Sequence, residues 1–266
     1  MRYSLFILIL FITQVLFAQD SVYQQAKTIE GDYIDFTVDN LGNYYLLTKN
    51  NQLKKLNSNG DSLAVFNDVR RYGKLYSIDA ANPLKILLYY KSFSTVVVLD
   101  RFLNNVNSID LRKQNIFQAK AIAQSYDNNV WVYDEQNNKL KKIGEDGAVL
   151  NETVDLRSIF DEVPSPVKII DQEGFVYLYD PEKGVYVFDI FGTFKTKISY
   201  LGLTDLTVVG KTLIGIEQQE IIAYTSGTLS EKRLPLPAQM SNRQKAVIRP
   251  GHLYMLNNGN IFHFTF

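Results

Sequence analysis

Asn43-Tyr44-Tyr45-Leu46-Leu47, Asn129-Val130-Trp131-Val132-Tyr133 and Gly174-Phe175-Val176-Tyr177-Leu178-Tyr179 are three versions of one phrase, a turn residue followed by a short apolar and aromatic run. Aromatic and β-branched residues suit a pleated, packed strand, and Gly or Asn accepts the positive φ that a tight turn demands. With its weaker copies, the phrase places the first residue of a strand at Tyr44, Ile86, Val130, Phe175, Thr212 and His252. The intervals are 42, 44, 45, 37 and 40 residues. A fixed period of about 40 residues marks supersecondary units that bury their apolar faces by stacking on one another.

Neighbouring strands keep the same register. Asn51-Gln52-Leu53-Lys54-Lys55-Leu56 is nearly repeated by Asn138-Lys139-Leu140-Lys141-Lys142-Ile143, and Val97-Val98-Leu99-Asp100 by Tyr186-Val187-Phe188-Asp189, each two units on. Asn57-Ser58-Asn59-Gly60-Asp61, Gly144-Glu145-Asp146-Gly147 and Asp189-Ile190-Phe191-Gly192 supply the turns from third to fourth strands. No stretch of a dozen residues carries a helical period. The expected fold is therefore all-β, a six-bladed β-propeller of four-stranded antiparallel blades. The last unit stops at Phe266 without a fourth strand, while Tyr23 to Ile29 precedes the first unit without a blade of its own. The N-terminal strand is expected to complete the last blade and close the ring, removing exposed sheet edges. Phe262, Phe264 and Phe266 alternate as the inner face of that blade would.

The chain opens with Met1-Arg2, an apolar run from Leu5 to Phe17, and Ala18-Gln19-Asp20. One basic residue, a short apolar core and a small residue at the break describe a secretory signal peptide, too short for a comfortable membrane span. The expected organisation is a signal peptide at 1–18 and one propeller domain at 19–266. The chain has no Cys, so no disulfide framework is expected after export and no lipidated cysteine follows the leader. Lys plus Arg and Asp plus Glu each number 28. That balance removes any global electrostatic case for nucleic acid or for an anionic membrane, and leaves local patches open.

Gly184-Val185-Tyr186-Val187-Phe188-Asp189-Ile190-Phe191-Gly192 resembles the repeat core of NHL- and TolB-like six-bladed propellers. Blades two, five and six depart from it, with Ser92-Phe93-Ser94 and Thr225-Ser226-Gly227 in place of its turns. Some members of that superfamily are calcium-dependent lactonases or esterases with the metal in the central tunnel. The resemblance therefore carries an alternative reading, a Ca2+-dependent lactonase-like hydrolase with tunnel candidates Asp35, Asp79, Asp171 and Asp205. A hard cation needs several converging oxygens, whereas Asp is also a common capping residue of turns and strand ends. His252 and His263 stand a strand and a turn apart, as cross-strand neighbours would, but no Cys or third His joins them for a transition metal. There is no phosphate loop, no Gly-x-Ser-x-Gly elbow and no nucleophile with an evident base.

The remaining candidates lie on loops joining one blade to the next: Arg70, Arg71, Tyr72, Arg112, Lys113, Phe117, Arg157 and Phe160, with Phe93 on a second-to-third-strand loop. In a propeller these two loop classes share one face, and Arg and aromatic residues are enriched at binding hot spots. Phe117 and Phe160 sit among apolar neighbours, so burial between blades is the competing reading. The sequence is thus read as an exported, non-enzymatic interaction subunit with a protein partner, no cofactor and no nucleic acid, peripheral to a membrane at most. It is expected in the periplasm, with secretion as the alternative, because the last repeat runs to Phe266. It looks similar to propeller accessory subunits of outer-membrane machines, such as barrel assembly or a type IX secretion translocon.

Overall fold

The computed structural model describes residues 22–237 and 240–266, so the expected leader lies outside the described residues. Within them the strands form six four-stranded antiparallel sheets. The innermost strands, Tyr33–Val38, Ser77–Asn82, Ala119–Gln124, Lys168–Gln172, Thr204–Val209 and Lys245–Arg249, contact one another in ring order, the last against the first. Second strands open at Tyr44, Lys85, Val130, Phe175, Thr212 and His252. Blade 2 begins one residue before the sequence marker; the other five coincide. Helix is limited to a four-residue segment, Val69–Tyr72, and short 3-10 turns among the described residues, and none is long and apolar enough to cross a membrane.

The ring closes as the unpaired N-terminal strand requires. Gln24–Ile29 lies antiparallel to Asn260–Thr265, with Thr28 opposite Phe262 and Ile29 opposite Ile261. The first and last described strands thus share blade 6, which closes the ring in register.

Each pair of adjacent blades encloses its own apolar cluster. Leu87 and Tyr89 of blade 2 meet Ile122 and Val132 of blade 3. Trp131 and Tyr133 of blade 3 meet Leu178 and Phe188 of blade 4, and Phe264 of blade 6 packs with Ile216 of blade 5. The alternation read at Phe262 and Phe264 is this inter-blade packing. The second strands of blades 1 to 4 are buried on both faces, which is why they read as near-continuous apolar runs. Each fully buried side chain of this kind contributes about 1.5–3 kcal/mol.

Blade 3 shows how a charge is held in the core. Asp134 is fully buried, accepts Asn137 Nδ2 at 2.7 Å, and pairs with Lys141 Nζ at 2.8 Å across two strands of blade 3. Turns between third and fourth strands close as expected, through Asn57 N to Asp61 O at 2.9 Å and Asp189 N to Thr193 O at 2.9 Å. Gly184 has φ +102°, and a Cβ there would lie 2.5 Å from the Ile198 carbonyl oxygen. No other residue fits that approach.

Candidate functional site

Antiparallel order gives a propeller two dissimilar faces. Connections between blades emerge with the second-to-third-strand loops on an upper face, and the remaining turns emerge below. Hydrogen bonds tie the two upper classes together: Leu111 N donates to Ser94 O at 2.9 Å and Glu135 N to Gln118 O at 2.9 Å.

Between blades 1 and 2 the chain makes one helical turn, Val69–Tyr72, ended by Gly73 at φ +74°. Tyr72 points inward. Its ring lies 5.1 Å from that of Tyr90, and its hydroxyl is 2.8 Å from Ser108 Oγ, so this sequence candidate anchors the turn in the core. The anchor leaves Arg70 and Arg71 exposed, with the Arg71 guanidinium 5.0 Å from the Tyr72 ring. Beside them, the 3-10 turn Lys91–Phe93 carries Phe93, 43% exposed, against the backbone of Gly73, where a Cβ would come within 3.1 Å of the ring. Lys91 Nζ sits 4.8 Å over the exposed Tyr76 ring.

The blade 2 to blade 3 connection continues the same surface. Ser94 Oγ donates to Phe117 O at 2.9 Å, holding the Phe117 backbone in place while its side chain stays 53% exposed. The 3-10 turn Leu111–Gln114 buries Leu111 and presents Arg112 and Lys113. Arg112 is chelated by Asp110, with Nε to Oδ1 at 2.8 Å and Nη2 to Oδ2 at 2.9 Å, and that bonding holds the Asp110 carboxyl below its usual range. None of Arg70, Arg71, Lys74, Lys91 and Lys113 has a carboxylate partner among the described residues. Arg157 and Phe160 belong to the next connection along. Arg157 is chelated by Asp155, and Phe160 packs on Tyr186 at 4.9 Å and Phe194 at 4.8 Å.

Seven of the nine sequence candidates therefore share one sector, six of them presenting side chains outward. Lys74, Tyr76 and Lys91 complete it and escaped sequence reading. Lys74 and Tyr76 follow Arg70-Arg71-Tyr72-Gly73 in the same connection, a signal available in the sequence. Lys91 became visible only once blade 2 folded back beneath that loop.

The four tunnel candidates all stand on innermost strands, each with its own partners. Asp35 pairs with Lys245 at 2.6 Å. Asp79 accepts the Gln124 amide at 2.7 Å and the Ala81 amide at 2.8 Å. Asp171 takes Trp131 Nε1 at 2.8 Å and Ser125 Oγ at 3.1 Å, latching blade 4 to blade 3. Asp205 lies 3.8 Å from Arg243 Nε, and burial raises its pKa. No three Asp, Glu, His or Cys side chains among the described residues are grouped to share a metal ion. The axis also carries Lys168 and Arg249, neither paired with a carboxylate; they donate to Leu206 O at 2.6 Å and Val38 O at 2.7 Å. Lys168 is surrounded by protein yet reached by water, as a channel-lining residue is. Enclosure, reinforced by Lys245, brings its ammonium pKa down to about 8.

His252 and His263 do meet, Nδ1 to Nε2 at 3.0 Å, beside the ring-closing strand. Tyr44 of blade 1 reaches His263 Nδ1 at 3.4 Å, and the Tyr254 ring stacks on His263 at 4.3 Å. Burial first, then the neighbouring His252 and Lys27, lower the His263 pKa to about 4.

The chain matches no known protein family profile and no curated protein. Its resemblances are to solved structures. A catalytically inactive virginiamycin B lyase from Staphylococcus aureus, solved with quinupristin, is 11% identical at a TM-score of 0.65, over 92% of this chain and 99% of that one. The Pan2 WD40 domain of Neurospora crassa is 11% identical at a TM-score of 0.65, over 91% and 95%. BamB from Moraxella catarrhalis is 12% identical at a TM-score of 0.52, over 92% and 98%. Lyase, WD40 domain and BamB share an architecture at identities too low to transfer an activity. The six sheets and the closed ring make the fold a six-bladed β-propeller, and the likeness to these solved structures extends to the fold alone.

Proposed function

We propose that the protein is an exported, non-enzymatic interaction subunit that binds another protein through the upper face of blades 1 to 3. The observation that carries this reading is the sector itself: five cations without carboxylate partners interleaved with exposed Tyr76, Phe93 and Phe117, all mounted on short turns pinned to the scaffold. Aromatic side chains lose little conformational entropy on binding and the planar Arg guanidinium makes several directed hydrogen bonds at once, which is why both types are enriched at interface hot spots. The leader read at 1–18 supports a periplasmic setting, and the likeness of the repeats to accessory propellers of envelope machines supports a role beside an outer-membrane channel such as a secretion translocon.

The test is affinity purification from solubilised membranes, with mass spectrometry comparing three proteins. Wild type and Lys211→Glu, a charge change in an exposed lower-face turn of blade 5, are expected to recover the same protein. Arg70→Glu/Arg71→Glu is expected to lose it. Equal recovery by all three, or no stable partner at all, overturns the proposal.

A further inference from the structure

The chain is neutral overall, yet its upper face is polarised. Residues 67–76, 91–94 and 110–118 carry six cations against two carboxylates, Asp68 and Asp110. One blade further round, residues 155–167 and 180–183 carry five carboxylates against two cations, Arg157 and Lys183. Asp161, Glu162 and Glu182 in that second sector have no ion-pair partner among the described residues, and Asp161 and Glu162 are exposed. A disc with opposite excess charge on adjacent sectors of one face presents a fixed direction, not merely a sticky spot. Focused surface potentials of this kind steer and orient an approaching chain before contact.

Resting on the proposed function above, we infer that the partner docks on blades 1 to 3 through an acidic protein segment bearing apolar side chains. The acidic sector over blades 3 and 4 repels that segment's continuation and so sets its rotational position about the propeller axis. The chemistry is direct. The carboxylates of the segment meet Arg70, Arg71, Lys91 and Lys113, which have no carboxylate partner to give up, and its apolar residues cover Phe93 and Phe117. The patch is rimmed by water, so the Coulomb contribution of each contact is modest and salt-sensitive, whereas the aromatics supply affinity that salt does not remove. Glu and apolar side chains together, rather than a phosphate backbone, fit the alternation of cations with unstacked aromatic edges.

The probe is a short fluorescein-labelled peptide rich in Glu, Leu and Pro, with a matched peptide carrying Lys for Glu, titrated against the intact mature protein by fluorescence anisotropy. The acidic peptide is expected to bind and the basic one not. Affinity should fall as ionic strength rises from about 0.01 M to about 0.15 M, where the Debye length shrinks from about 30 Å to about 8 Å. Arg70→Glu/Arg71→Glu and, separately, Lys91→Glu/Lys113→Glu should each weaken it about tenfold or more. All four positions are exposed, and unchanged thermal melting verifies the folds. Asp161→Lys/Glu162→Lys should instead strengthen it severalfold, and unchanged affinity there would overturn the orienting role of the acidic sector. Failure of the acidic peptide to bind at low salt overturns the inference. So does binding to phosphatidylglycerol vesicles that the same reversals abolish when the peptide itself does not bind, since the surface would then read lipid. If membrane capture still depends on Arg70 and Arg71 while the peptide fails, the inference falls and the proposed function stands.

Discussion

His263 sits where the first and last strands of the chain meet, and replacing it by Gln isolates one term in the acid stability of the ring. An unhindered imidazole binds its proton near pH 6.5, whereas burial and the neighbouring His252 and Lys27 hold His263 neutral down to about 4. Between those values the unfolded chain carries a proton that the folded chain refuses, so stability is complete above pH 6.5 and is lost as pH falls toward 4. A shift of 2.5 units at 1.36 kcal/mol per unit sets a ceiling of about 3.4 kcal/mol. The side chain is half-buried, so screening by water reduces the expected effect to about 1–2 kcal/mol. The single tryptophan, Trp131, is fully buried between blades 3 and 4 and reports unfolding by fluorescence. Urea denaturation from pH 8 to pH 4 should show the wild type losing about 1–2 kcal/mol more than His263→Gln over that window, with carboxylate titrations common to both cancelling. Parallel pH profiles for the two proteins would refute the assignment of this proton uptake to His263.

Two further substitutions test what holds the blades. Lys141→Met leaves the fully buried Asp134 without its cation and should destabilise the protein by about 3–5 kcal/mol at neutral pH; a loss under 1 kcal/mol in urea unfolding would show that the Asn137 and amide contacts suffice. Gly184→Ala forces a Cβ toward the Ile198 carbonyl in a backbone conformation that L residues avoid, and should cost about 2–3 kcal/mol. An unchanged melting temperature would contradict the contact.

The repeats were legible because packing between blades demands the same pattern at every blade. Second strands buried on both faces must be apolar, and most turn positions with positive φ are Gly or Asn, so Tyr44, Val130 and Phe175 announce their strands. The closing strand was legible by subtraction, since an orphan strand at one end and a missing strand at the other have one economical resolution. The site was legible only as a list of loop residues. Sequence placed Tyr72 and Arg71 side by side as equal candidates; folding turned one toward Tyr90 and the other toward water.

Sequence by itself therefore determined the fold, the blade count and the face on which the irregular loops gather, because these follow from local periodicity and chain direction. Tertiary structure decided which charges on that face are free. Arg112 and Arg157 are neutralised by Asp110 and Asp155 two residues away, whereas Arg70, Arg71 and Lys91 are brought together unpaired from loops of two blades. It also decided that Asp35, Asp79, Asp171 and Asp205 hold blade to blade with separate partners, since the direction each side chain takes from an inner strand depends on neighbours far away in sequence. Charge pairing is a property of distance in space, and chain order contains it only where partners are near neighbours, as Asp110 and Arg112 are.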